Sequence, residues 1–600
     1  MIKLSGSALA GKAHGAVAFA VLTALLTVVT AALAGCNGKT EAPPTATASS
    51  TGTTASAPAP AWPAFVDQFV EAYLSARPAY AAGQGRHEFD GQLPDWTAAG
   101  IEKEIARLEQ VRTAALAFAA DSLEPAQKFQ RDYLVSRADT ELFWLRDARH
   151  PFTNPAWYFD NGLDPSTYIT VPYAPADQRL RAFIKYANAI PAALTQIRTN
   201  LQAAPLPTSF INYGIAGFNG MADFYRKDVR TAFAEVKDAG LQKDLQSVIE
   251  PAAQAMADMG KWLQSELPKG TDAYALGPEK FAQMVRLTEG VTTPVKDLET
   301  IGRADLDRNL AALAAACKEF VPGKSIKACI DKVGDDKPKG GAVEGARSQL
   351  TELRQYVVDH DIVSIPGTEQ ALVEEAPPYR RANFAYINIP GPYEKNLPSV
   401  YYISPPDPTW TKAEQNAYIP GKADLMFTSA HEVWPGHFLQ FLHSNRSAWR
   451  PGQLFVGYAF AEGWAHYSEE LMVEEGIATS KPELHVGQVL NALLRDVRFL
   501  CAIGLHTQGM TIGQCEKMFQ EQGYQDIGNA RQQAARGTYD PAYLNYTMGK
   551  LMIRKLRTDW EAAHPGEPRK KFHDEFLSYG GPPIPLVRAQ MLKGAAGELF

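Results

Sequence analysis

The sequence is poor in cysteine and has no run of like charge, no internal repeat and no excess of basic residues. Five cysteines in 600 residues, none at zinc-knuckle spacing, exclude a metal centre built on thiolates. The 59 Lys and Arg against 66 Asp and Glu give a net charge of −7, and no basic stripe interrupts this mild acidity. Such a surface has little to offer a phosphate backbone, so nucleic acid is excluded as a partner. With no repeat and no second linker beyond the N-terminal region, the chain does not read as an array of small modules.

Lys3 and Lys12 precede Ala16–Ala34, a stretch of apolar and small residues without charge that ends at Leu33-Ala34-Gly35-Cys36. A positive start, an apolar run and a small-residue cleavage site mark a processing signal rather than part of the fold. The run is nearly long enough to span a bilayer, so an uncleaved anchor is the competing reading. The cysteine at its end looks like a bacterial lipobox and favours lipid on Cys36 after cleavage before it. Asn37 at the next position points, by analogy with enteric sorting, to the outer membrane, with the body facing the periplasm. Asn37–Ala61, rich in Thr, Ala, Ser and Pro, reads as a flexible tether. The expected layout is a signal peptide over 1–35, a lipidated cysteine and tether over 36–61, and a catalytic body over 62–600.

An exported chain favours disulfides among the other four cysteines, although sequence leaves three connectivities open. Local pairing is the expectation, Cys317 with Cys329 and Cys501 with Cys515. Each bridge would contribute on the order of 3 kcal/mol. Four buried free thiols are the alternative.

About 540 residues follow the tether, enough for a large core. Helical periodicity predicts helices over Asp95–Ala119, Glu124–Arg146, Gln178–Ala203, Ala239–Leu267 and Thr293–Phe320. The expected fold is mainly α, with two helical lobes around a cleft. The exception is Arg380–Pro405, where Phe384–Ile389 and Ser399–Ile403 read as strands around a Pro/Gly-rich turn. This element is either a structural hairpin or an edge for an extended peptide.

The chemistry is concentrated at His431-Glu432-Val433-Trp434-Pro435-Gly436-His437 and at Glu462-Gly463-Trp464. Catalytic zinc takes three nitrogen or oxygen ligands and leaves a position for water, whose proton a neighbouring glutamate can accept. His431, His437 and Glu462 are read as ligands and Glu432 as the general base. In HExxH the ligands lie four apart on one helix face. Six residues of unbroken helix instead separate the two histidines by about 120° and 9 Å. The zinc reading therefore requires a break at Pro435-Gly436, residues that respectively remove a helical hydrogen bond and tolerate unusual backbone angles. Glu462 and His466, one turn apart on a second helix over Leu454–Gly476, compete as third ligand.

These residues resemble a bacterial family known as domain of unknown function 885, whose members look like zinc metallopeptidases. The signatures are HEVWPGH at 431–437, AEGWAHYSEEL at 461–471, RFLCAIGLH at 498–506, YTMGKLMIRKLR at 546–557 and FHDEFLSYGGPPIPL at 572–586. The resemblance implies a helical, clefted architecture similar to neurolysin, angiotensin-converting enzyme and carboxypeptidase Taq. The Glu-Gly-aromatic-Ala segment also resembles the third-ligand segment of aminopeptidase N-like enzymes, which favours Glu462 over His466. Ala502 departs from the family, where an acid often stands four residues before the histidine corresponding to His506.

The expected reaction is attack of activated water on a peptide amide, with an oxyanion donor from the C-terminal part. Similar helical peptidases use His and Tyr from segments after the metal motif. Tyr546 and His506, then Tyr543, are the candidates here, each competing with a purely structural role. Arg498, Arg554 and Lys550 are candidates for a substrate carboxylate. Trp434 and Trp464 are expected to pack rather than react. Two alternatives to a membrane-tethered zinc peptidase remain: another zinc-dependent amidase on a peptide-like substrate, and a non-catalytic lipoprotein that binds a peptide or partner.

Overall fold

The computed structural model describes residues 61–377, 380–381, 384–408, 410–594 and 597–600. The expectations placed on residues 1–60, namely the signal peptide, the lipid on Cys36 and the tether, lie outside the described residues. The fold is mainly α: 70% of it is helical, with one small three-stranded sheet. No helix among the described residues is long and apolar enough to cross a membrane.

Two large hydrophobic cores organise the helices. The first joins Ala176–Leu201, Thr208–Lys227 and Ala239–Glu266, and its centre includes Phe183, Ile190, Phe218, Leu245 and Met256. Asp238 caps the last of these helices by accepting from the N–H groups of Gly240 and Leu241. From there Leu241, Leu245, Val248, Ile249, Ala252 and Met256 recur on one face. The second core joins Phe143 to residues from Phe281 to Met591 and holds Leu313, Phe427, Trp464, Phe499 and Met552. A smaller cluster packs the Trp62–Ala76 helix onto Leu454 and Phe455.

Both local disulfides are present. Cys317–Cys329 ties the Val295–Phe320 helix to Ile326–Asp335, and Cys501–Cys515 ties Pro482–Thr507 to Ile512–Glu521. The two expected strands form as β2 (Ala385–Asn388) and β3 (Ser399–Ile403), paired antiparallel. The sequence reading missed β1 (Ala371–Glu375), which lies parallel to β3 on its other side, giving the order β1-β3-β2. β3 is therefore the buried centre of a sheet rather than half of a free hairpin. β2 is an edge strand, and its residues line a cavity of about 2490 Å³. Helices of both cores supply walls to that cavity, Thr208–Lys227 giving Tyr213 and helices of the second core giving His431, Glu462 and Tyr546.

Candidate metal centre

The helix that carries His431 spans Lys422–Glu432 and stops there. Val433 leaves helical geometry, and a new helix starts at His437 and runs to Ser444. The turn closes when the N–H of Gly436 donates to the Ala430 carbonyl at 2.9 Å. A Cβ on residue 436 would collide with the carbonyl oxygens of His431 and Ala430, so the turn admits glycine alone. The result is the break that the six-residue spacing demands: the two imidazole rings stand 4.8 Å apart and nearly perpendicular.

Glu462 arrives on the Tyr458–Glu474 helix. Gly463 beside it lies against Gly549 of the Asn545–Ala563 helix, where a Cβ on either residue would meet backbone. This close approach lets Tyr546 sit beside the histidines. Trp464 is fully buried, and its indole N–H donates to the Pro435 carbonyl at 2.8 Å, fastening the second helix to the motif turn. Both motif tryptophans pack, as expected; Trp434 is buried against Phe438.

Glu462 Oε2 is 3.2 Å from His431 Nε2 and 3.3 Å from His437 Nε2. The three ligand atoms fall within 4.8 Å of one another, the one such convergence among the described residues. On its far side His431 Nδ1 bonds Glu469 Oε1 at 2.7 Å, which turns Nε2 toward Glu462 and supplies the carboxylate behind a histidine that metal sites commonly use. Burial works against protonated His431, yet its bonds to Glu462 and Glu469 carry it up to about 9. Burial opposes ionised Glu462, but the two histidines hold it well below the usual carboxylate range. His431, His437 and Glu462 together offer the nitrogen and oxygen donors that could hold a metal ion. Glu432 lines the cavity, and burial raises its pKa against the pull of His437 and His431.

The family described as "Bacterial protein of unknown function (DUF885)" matches residues 78–591. The chain belongs to DUF885. Two solved structures share the fold. One is "a putative lipoprotein of unknown function from Shewanella oneidensis", 23% identical, with a TM-score of 0.73 over 89% of this chain and 100% of that one. The other is "the putative lipoprotein from Colwellia psychrerythraea", 16% identical, with a TM-score of 0.75 over 89% of this chain and 98% of that one. No curated protein matches.

The remaining candidates of this DUF885 chain divide sharply. Tyr546 lines the cavity, with its ring 6.2 Å from that of His431 and nearly parallel to it. Burial, followed by the charge of Glu462, keeps its hydroxyl protonated above the usual phenol range. His506 does not reach the site: Nδ1 accepts from the Leu276 N–H at 3.2 Å, and Nε2 bonds the Gly537 carbonyl at 2.7 Å. With both ring nitrogens on backbone it pins a loop to a helix, and the oxyanion role expected of it is corrected. Tyr543 is likewise corrected: it is wholly buried against Gly537 and is not among the cavity walls. His466, the rival ligand, is fully buried and faces Glu469 at 3.6 Å rather than joining the convergent atoms. Nothing in the sequence analysis assigned Glu469 a role. Its position seven residues after Glu462, two helical turns, was the available signal.

Proposed function

We propose that the protein is a zinc-dependent peptidase whose cleft takes peptides, with His431, His437 and Glu462 holding the metal. One observation carries this reading: three ligand atoms converge across a helix break, with Glu432 beside them and Glu469 orienting His431. Zinc in such a set supplies Lewis acidity and brings the pKa of water to about 7. Glu432, raised by burial, accepts the proton of the attacking water and returns it to the leaving nitrogen as the C–N bond breaks. The protonated hydroxyl of Tyr546 is the donor for the oxyanion. Glu469 fixes the tautomer of His431 and, held by Arg495 at 3.3 Å, resists drift of that ring.

The cavity supports a peptide as substrate. β2 leaves one edge unpaired within the sheet, and Ala385–Asn388 face the cavity, so an extended backbone can add there as a further strand. The lipoprotein names of the two solved relatives support attachment through Cys36; a body in the periplasm and an anchor in the outer membrane complete the proposal.

The test is metal analysis of the full chain beside cleavage of a mixed peptide library. About one zinc per chain is expected, lost in His431→Ala. Glu432→Gln should keep the zinc and lose roughly 10²–10⁴-fold in rate. Zinc without cleavage of any peptide would remove the peptidase assignment, and a folded chain without metal would remove the site.

A further inference from the structure

Six cationic Lys or Arg side chains are buried among the described residues: Arg179, Arg495, Arg498, Arg557, Arg588 and Lys550. Five of them face a carboxylate. Arg179 lies 3.8 Å from Glu235, Arg495 3.3 Å from Glu469, Arg557 2.6 Å from Glu474, Arg588 2.5 Å from Asp559 and Lys550 2.6 Å from Asp305. Arg498 faces none among the described residues. Its Nε donates to Gln533 Oε1 at 2.8 Å, and its guanidinium lies over the ring of Tyr546, 4.9 Å from the centroid. Arg498 also lines the cavity.

An unpaired charge out of water is costly, and a protein that pairs five of six such cations leaves the sixth open at its cleft. The neighbouring charges do not compensate it. Burial and then Arg536 and Arg495 push Arg498 below the usual guanidinium range, against Tyr546 and Tyr458. Arg536 is itself engaged with Asp540 at 2.9 Å. A planar guanidinium fork in a partly desolvated wall binds a carboxylate better than any other common peptide group. Distance then restricts which carboxylate. The ring of Tyr546 is 6.2 Å from that of His431 and 4.9 Å from Arg498 Cζ, so at most about 11 Å separates the guanidinium from the ligand ring. An extended chain advances about 3.3–3.6 Å per residue, and the gap therefore holds about three residues or fewer.

Resting on the proposed peptidase reading, we infer that Arg498 receives the free α-carboxylate of the substrate, so that the enzyme releases short pieces from peptide C-termini. The other basic candidates are already engaged, Lys550 with Asp305 and Arg554 with Glu470 at 3.1 Å.

The test compares three forms of one peptide on the zinc-loaded full chain: the free acid, the C-terminal amide, and the amide with a glutamate near its end. Binding of the same three to Glu432→Gln is measured by calorimetry. The free acid should exceed the plain amide by roughly 10- to 100-fold in both kcat/KM and affinity, with cleavage within three residues of the end. Arg498→Met should bring that ratio to within about twofold of one, and Arg498→Lys, a point charge without the fork, to an intermediate value. Should Arg498→Met not fold, the lysine variant and the acid-to-amide ratio of the unaltered protein decide alone. Equal handling of acid and amide overturns the inference, as does full rescue of the amide by the glutamate side chain. Acid-selective binding without any cleavage would sink the peptidase reading and leave the carboxylate site standing.

Discussion

In the helices between Ala176 and Glu266 the interior is almost wholly apolar, and the buried polar side chains there are Arg179 and Asn200. Behind the candidate metal centre the helices Tyr458–Glu474, Pro482–Thr507 and Asn545–Ala563 bury His466, Glu469, Glu470, Arg495, Asp496, Arg498 and Lys550. Helices of similar length and the same packing rules thus produce two different interiors. Buried ions are poor stabilisers relative to apolar residues of the same volume, so folding alone does not call for them. Arg495 and Arg498 among them line the cavity, so the contrast separates a region that supports the fold from one that also surrounds the candidate site.

The largest effects should come from deleting one member of each interior. Phe183→Ala in the apolar mass should cost about 3–5 kcal/mol; Lys550→Met, which leaves buried Asp305 with Arg308 alone at 2.8 Å, is expected to cost about 1.5–3 kcal/mol. Denaturant unfolding measures both, and zinc content should be untouched by the phenylalanine change. If Lys550→Met proves neutral, the contrast between the two interiors collapses. Next, replacing Cys501 and Cys515 together by alanine should lower stability by about 3 kcal/mol. Glu469→Gln should weaken zinc about 10- to 100-fold by chelator competition, since it removes the carboxylate behind His431. The same exchange at exposed Glu250, paired with Arg226 on the apolar mass, should leave zinc affinity unchanged.

The last effect is one of slope. Burial, against help from the Ala459 N–H and Asn545, raises Glu289 to about 8. The unfolded chain releases this proton near pH 4.5 and the folded chain near 8, so the associated stability is complete below 4.5 and is lost as pH rises through 8. Glu289→Gln should match the parent at low pH and gain on it by on the order of 1 kcal/mol per pH unit between those limits. Melting curves at pH 5 and pH 8 that run parallel would show that the carboxyl ionises freely in the cavity.

The long helices were legible because burial repeats along them. Ala239–Leu267 was expected where Ala239–Glu266 forms, and Thr293–Phe320 where Val295–Phe320 forms. Thr208–Lys227 was not read. Its glycines 214 and 217 receive Leu263, Pro155 and Phe159 from other elements, a fit that no local pattern records. At the site, the helix break followed from the histidine spacing, whereas the fates of Tyr546, Tyr543 and His506 did not. Tyr543 and Tyr546 are three residues apart, yet one ends against Gly537 and the other against His431. The sequence around a histidine does not say whether its nitrogens will meet backbone or cavity. That is a tertiary outcome, and His506 shows it.

The four-residue turn at Val433–Gly436 has a mechanical consequence. Two ligands on one helix keep their separation whatever fills the gap between them. Here the two imidazoles belong to separate rods, Lys422–Glu432 and His437–Ser444, joined at an elbow. An ion held by both would span that elbow like a rivet. Extracting it should loosen the hinge angle as well as empty the site, and amide exchange in 433–444 would register the slackening.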